Sequence, residues 1–196
     1  MQLALIERIS ADERAVVFPA GDTFLLTYPE FLRYFQDLAV IERHHLIIAA
    51  NFTYGWMPTM LRFKSQDFDA AVAVLNHVKA GQTISDQELS CLAGVINNSL
   101  VGASKLLHFI DPSRYAIWDS RVYQYLHGSF SLYQLHRLRN YHAYLDACAT
   151  VTAHPAFSPV HQSMNAKIGY PVTPLRAVEL VMFMRSAPPA VALEDT

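Results

Sequence analysis

Two short stretches, Thr27-Tyr-Pro-Glu30 and Ser85-Asp-Gln-Glu88, share the S/T-x-x-E form of a helix start. In that form the hydroxyl accepts one orphan backbone N–H and the glutamate returns to the amide of the capping residue. Both precede apolar residues spaced three and four apart, the period of a helix with one buried face. With only seven glycines in 196 residues, these signals select an all-α chain. The length suits one compact domain of about 100 to 200 residues, expected over 1–186, with a flexible Pro-containing acidic tail over 187–196.

The first box predicts a helix over 28–39 with Phe31, Leu32, Phe35, Leu38 and Ala39 inward. The run Leu46 to Ala50 reads as a buried helix that breaks in an aromatic loop, Tyr54-Gly-Trp-Met-Pro58. Ser65 is expected to cap a helix over 66–80 stopped by Gly81, and the second box opens one running to about Ile96. Asn97-Asn98-Ser99 then turns the chain into a short apolar helix over 101–110, and Asp111-Pro112 turns it again. Asp119 is placed to cap a helix ending at Gly128, and further helices are expected at 131–150, 158–166 and 174–185. The one candidate for extended structure pairs Ala15 to Phe18 with Phe24 to Leu26.

Apolar residues make up 52% of the chain and charged ones 16%, against a usual charged share of about 25%, which excludes a disordered chain and calls for a large core. The net charge of −2 excludes a uniformly basic nucleic-acid or membrane coat. The charge is unevenly spread, however: residues 1–99 carry a net −4, and residues 100–145 a net +3 from Lys105, Arg114, Arg121, Arg137 and Arg139 against Asp111 and Asp119. Cys91 and Cys148 are too far apart for a metal knuckle or a disulfide scaffold, which points to a reducing compartment. Charges at Glu7, Arg8, Asp12, Glu13 and Arg14 interrupt any signal-peptide core, and no apolar run approaches a membrane span, so the expectation is a soluble cytoplasmic protein with no membrane partner.

The segment richest in chemistry runs from Val101-Gly-Ala-Ser-Lys105 through Pro112 to Ile117-Trp-Asp119-Ser-Arg-Val122. A lysine early in one helix is followed, one turn later, by an aspartate at the start of the next. This stretch of about 30 residues resembles the helix-hairpin-helix DNA glycosylase superfamily, in particular its 8-oxoguanine-glycosylase-like branch. The resemblance implies a DNA-repair hydrolase that excises a modified or damaged base, with Lys105 as nucleophile and Asp119 as its electrostatic partner, and with no cofactor. Asn98-Ser99-Leu100 stands where that family's hairpin carries its proline and first glycine.

The chemistry is physically coherent. Lys105 shares a helical face with Val101, Gly102, His108 and Phe109, and desolvation there favours the neutral amine that attacks a sugar C1′. Asp119, aimed by its own helix N-terminus, stabilises positive charge developing on the sugar. Tyr54, Trp56 and Trp118 are candidates for the aromatic wall of a pocket for an everted base. Arg114, Arg121, Arg137 and Arg139 are candidates for contacts to the DNA backbone, giving salt-sensitive binding to a DNA partner.

Each of these residues also has a structural reading: Asp119 as a simple cap, Lys105 as a lysine reaching to solvent past an apolar helix, and the aromatic residues as core. The rival function is a non-catalytic helical module whose low charge reflects an apolar surface for a protein partner or a second copy in a homodimer. Arg137-x4-His142 also matches the R-x4-H signature of HEPN-type RNA-cleaving toxins. On a straight helix, however, positions five apart diverge by about 140°. No metal site is expected, because adjacent His44 and His45 should point about 100° apart and His108 with Asp111 lacks a third ligand.

Overall fold

Short polar side chains set most of the helix starts. Asp22 accepts from the amides of Phe24 and Leu25 at 2.9 and 3.0 Å. Asp67 caps through Ala70, Ser99 through Gly102, Asp119 through Arg121, Ser131 through Gln134 and Thr173 through Arg176. Ser85 and Glu88 form the expected reciprocal box. The computed structural model describes residues 2–57 and 59–187, so the expected tail lies outside the described residues from 188 onward.

The described residues form eleven helices: α1 (Gln2–Glu13), α2 (Thr23–Gln36), α3 (Arg43–Gly55), α4 (Phe68–Lys79), α5 (Asp86–Val95), α6 (Leu100–Ile110), α7 (Ser120–His127), α8 (Leu132–Leu135), α9 (Leu138–Ala153), α10 (Phe157–Ile168) and α11 (Pro174–Arg185). There is no strand among them. The one β pairing is an isolated antiparallel bridge between Phe63 and Ile96. The chain is all-α, as its patterning requires.

Four local expectations are corrected. Phe24 to Leu26 form the first turn of α2, so no extended pairing with 15–18 exists. That helix starts at Thr23 because Asp22 caps it; Thr27 Oγ1 donates instead to Thr23 O at 2.7 Å, and Pro29 lies inside the helix. Asp67, not Ser65, caps α4, while Ser65 accepts from the Asp67 amide. The helix expected over 131–150 is two, α8 and α9, with the Asn140 amide donating to Gln134 O at 2.7 Å across the break.

Backbone contacts divide the chain into two compact units, Phe18–Ile117 and a discontinuous one made of Met1–Val17 with Trp118–Thr196. In the first, α6 packs against α2, α3, α4 and α5, and every residue from 102 to 109 is buried. In the second, α11 packs against α1, α7, α9 and α10, and every residue from 175 to 182 is buried. A helix ringed on all sides must be apolar all round or must satisfy each polar group it carries. Both central helices carry ionisable residues: Lys105 and His108 on α6, Arg176 and Glu179 on α11.

Candidate functional site

The hairpin before α6 is built by two consecutive left-handed residues, Asn97 (φ 56°) and Asn98 (φ 52°). Asparagine tolerates this region better than other side chains with a Cβ, so the turn is made at little conformational cost without glycine. The hairpin's amides are largely committed within the protein. Asn97 N–H donates to Arg62 O at 3.0 Å, and Ser99 N–H to Ala93 O at 3.1 Å and Ile96 O at 3.0 Å. The Asn97 side chain accepts from Arg62 N at 2.5 Å and donates to Met60 O at 2.8 Å, which clamps the 60–62 segment onto the turn. Those amides are turned to the protein rather than to a phosphate.

Lys105 lies one turn into α6 and is only 5% exposed. On the same face, one turn later, His108 is fully buried. Its Nδ1 stands 2.6 Å from Tyr115 O and its Nε2 2.8 Å from the Tyr28 hydroxyl. A carbonyl can only accept, so Nδ1 carries the proton in the neutral ring and Nε2 accepts from Tyr28. Helix α6 is thereby tied to α2 and to the segment that follows it.

Asp119 opens α7, half-buried, with Oδ1 accepting from Arg121 N at 3.0 Å and from the Ser120 hydroxyl at 3.3 Å. It is the cap that the sequence expects, and its carboxylate is held by donors of its own helix start. Lys105 belongs to the Phe18–Ile117 unit and Asp119 to the other.

The three aromatic candidates are packed residues. Tyr54 is 5% exposed, donates to Ile96 O at 3.3 Å, and lies so close to Gly102 that a Cβ there would meet its hydroxyl at 2.9 Å. Trp56, half-buried, donates to Thr27 Oγ1 at 2.9 Å and sits edge-on to Phe109, with ring centroids 5.3 Å apart. Trp118 is fully buried, and its indole N–H donates to Leu135 O at 2.8 Å. The structure thus brings Tyr54 and Trp56 to α6 and places Trp118 in the core with Tyr144, at 4.9 Å between centroids.

The arginines divide. Arg114 is an internal clamp: its guanidinium pairs with Asp111 at 2.5 Å and donates to Gly81 O at 2.8 Å and Val78 O at 3.1 Å, closing the C-terminal carbonyls of α4. These bonds give Arg114 a structural role in the fold. Arg121 lies over the Phe183 ring at 4.6 Å. Arg137 and Arg139 are exposed, Arg137 stacked on and bonded to Tyr133, and Arg139 at 3.4 Å from Gln134 Oε1. Because Arg137 is the residue before α9 rather than within it, the R-x4-H spacing to exposed His142 is not carried on one helix.

One buried ion pair lies outside the residues that the sequence singles out. In the second unit Arg176 and Glu179 form an ion pair on α11 with side chains 5% and 3% exposed. Burial, with smaller contributions from Cys148 and then Glu179, holds the Tyr144 hydroxyl well above its usual range, and burial, with a smaller contribution from Glu179, pushes the Cys148 thiol up to about 12, which leaves that cysteine a protonated core residue. Two opposite charges three apart in an otherwise apolar segment were the signal. Against the expectation that adjacent His44 and His45 point apart, Glu42, His44 and His45 each offer a ligand atom, all within 4.8 Å of one another.

Two open hollows have other walls. One of about 470 Å³ is lined by residues including Asp67, Val74, Ser85, Glu88 and Cys91, and one of about 370 Å³ by Leu3, Ile6, Ser10, Arg14 and His154 among others. Neither includes Lys105 or Asp119. No helix among the described residues is long and apolar enough to cross a membrane. Comparison with protein-family models, with curated proteins and with solved structures finds no match to this chain.

Proposed function

We propose that this chain is a DNA base-excision glycosylase, with Lys105 as nucleophile and Asp119 as the carboxylate that stabilises charge on the sugar. The observation that supports this reading most is the position of Lys105, a lysine at 5% exposure on a helix whose residues 102–109 are all buried. Burying an ammonium is costly, and such groups concentrate where chemistry needs them. The second support is the helix-turn-helix path of α5 and α6, followed directly by a helix capped by Asp119.

In the proposed reaction the neutral Lys105 amine forms a bond to the sugar C1′ as the glycosidic C–N bond breaks. The bond's electron pair leaves with the base, which takes up a proton, and the amine gives up one of its own. Opening of the sugar ring then leaves a Schiff base. Asp119 stabilises the positive charge on the sugar in the transition state.

Borohydride trapping on abasic and oxidised-base duplexes tests this. The expected result is a covalent adduct that Lys105→Ala abolishes and that Asp119→Asn, which keeps a capping oxygen while removing the charge, slows by about 100-fold or more. No adduct and no base release on any duplex would overturn the reading. A non-catalytic helical module then stands in its place, favoured by the burial of Tyr54 and Trp118 and by the exposed apolar residues Leu132 and Tyr133.

A further inference from the structure

We propose that Glu42, His44 and His45, at the start of α3, form a binding site for a divalent transition metal of the zinc class. The proposal is independent of the glycosylase reading and uses none of its residues. His44 Nδ1 stands 3.3 Å from Glu42 Oε2. Two ligand atoms, each about 2.0 to 2.1 Å from a tetrahedral ion, stand about 3.3 Å apart, so this pair already has the separation that a shared zinc requires. The third ligand is at hand: the His44 and His45 ring centroids are 3.8 Å apart, tilted at 45°. Adjacent helical residues leave the backbone about 100° apart, yet in this first turn of α3 the two side chains turn toward each other.

His45 is held in place from two sides. The Tyr34 hydroxyl donates to its carbonyl at 3.2 Å, and the Glu42 amide donates to its Nδ1 at 3.0 Å. The Nδ1 lone pair is spent on the Glu42 amide, so His45 ligates an ion only once its ring turns from that amide and presents Nδ1 to the metal. Glu42 and exposed His44 therefore capture the ion first, and His45 closes on it by releasing its half of the capping box. Two imidazoles and one carboxylate select zinc, copper(II) or nickel(II) over magnesium or calcium. The remaining coordination position is left to water. The carboxylate also offsets the positive field of the helix N-terminus, which alone would repel a cation.

The molecule contains its own control. His77 Nδ1 and Glu88 Oε1 also pair, at 2.8 Å, yet the only group of three ligand-bearing residues among the described residues is the one on α3. Zinc titration of the full chain, free of any affinity tag, by calorimetry and by NMR of the histidine ring protons tests the site. The expected result is one equivalent bound, shifts confined to His44 and His45, and reversal by chelator. His44→Ala, whose ring has no part in the capping box, should weaken binding at least tenfold, Glu42→Gln should do so comparably while keeping an acceptor for the His45 amide, and His77→Ala should change nothing. Absence of zinc binding, affinity untouched by His44→Ala, or equal binding of magnesium would overturn the proposal.

Discussion

Gly102 shows how a single residue ties the candidate site to the core. Alanine there improves intrinsic helix propensity by about 1 kcal/mol. The added Cβ would meet the Tyr54 hydroxyl at 2.9 Å and two ring carbons at 3.1 and 3.3 Å. Tyr54 is 5% exposed and bonded to Ile96 O, so it cannot swing aside. Overpacking of this kind costs about 1 to 3 kcal/mol, which outweighs the propensity gain. Gly102→Ala is expected to lower the urea midpoint without changing its slope, and Tyr54→Phe, which removes the nearest atom, should recover part of the loss in a double-mutant cycle. The sequence shows that Gly102 lies one turn before Lys105. It does not show Tyr54 folded over it, because that contact joins residues 48 apart in the chain.

At the scale of elements, the caps that the sequence displays are the ones most firmly built, and α5 gives the clearest test. Hydrogen bonds from the Ser85 amide and hydroxyl, with His77 beside them, pull the Glu88 carboxyl down to about 2 from its ordinary 4.5. A carboxyl lowered in the folded state adds stability that is fully present above pH 4.5 and is lost as pH falls through about 2. Glu88→Gln keeps a capping oxygen but removes this dependence, so acid unfolding curves of the two proteins should converge below pH 2 and separate above 4.5; parallel curves would show that Glu88 takes no part. The start of α2 differs from the expected one for a physical reason: Thr27-x-x-Glu30 offers a cap with Pro29 near its first turn, where proline is tolerated, but Asp22 offers a carboxylate five residues earlier. The helix ran through the proline rather than starting at it. The break between α8 and α9 was hidden because it depends on Asn140 reaching back to Gln134, an interaction with no local signature. Asp119 and Gly128 marked both ends of α7 because a carboxylate cap and a left-handed glycine (φ 73°) act within the helix's own turns.

Over the whole molecule, charge would set the strength of the proposed DNA binding. Of the four arginines that are candidates for the backbone, Arg114 is the one engaged by internal bonds to Asp111, Gly81 and Val78. Arg114→Ala should therefore destabilise the fold, by about 1 to 3 kcal/mol for a lost charged clamp, while leaving the salt dependence of DNA affinity unchanged. Arg121, Arg137 and Arg139 remain, all in the discontinuous unit. Each neutralised phosphate contributes about −0.9 to the slope of log K against log salt, so three contacts give a slope no steeper than about −2.7. Binding measured between 50 and 200 mM salt, on the order of the range where such slopes are read, should give that value, and Arg137→Ala or Arg139→Ala should each reduce it by about one contact. A steeper slope would place further contacts on basic residues outside this set, such as Arg62 and Lys64 beside the hairpin. A flat one would leave the positive charge of residues 100–145 to internal bonds of the kind Arg114 makes.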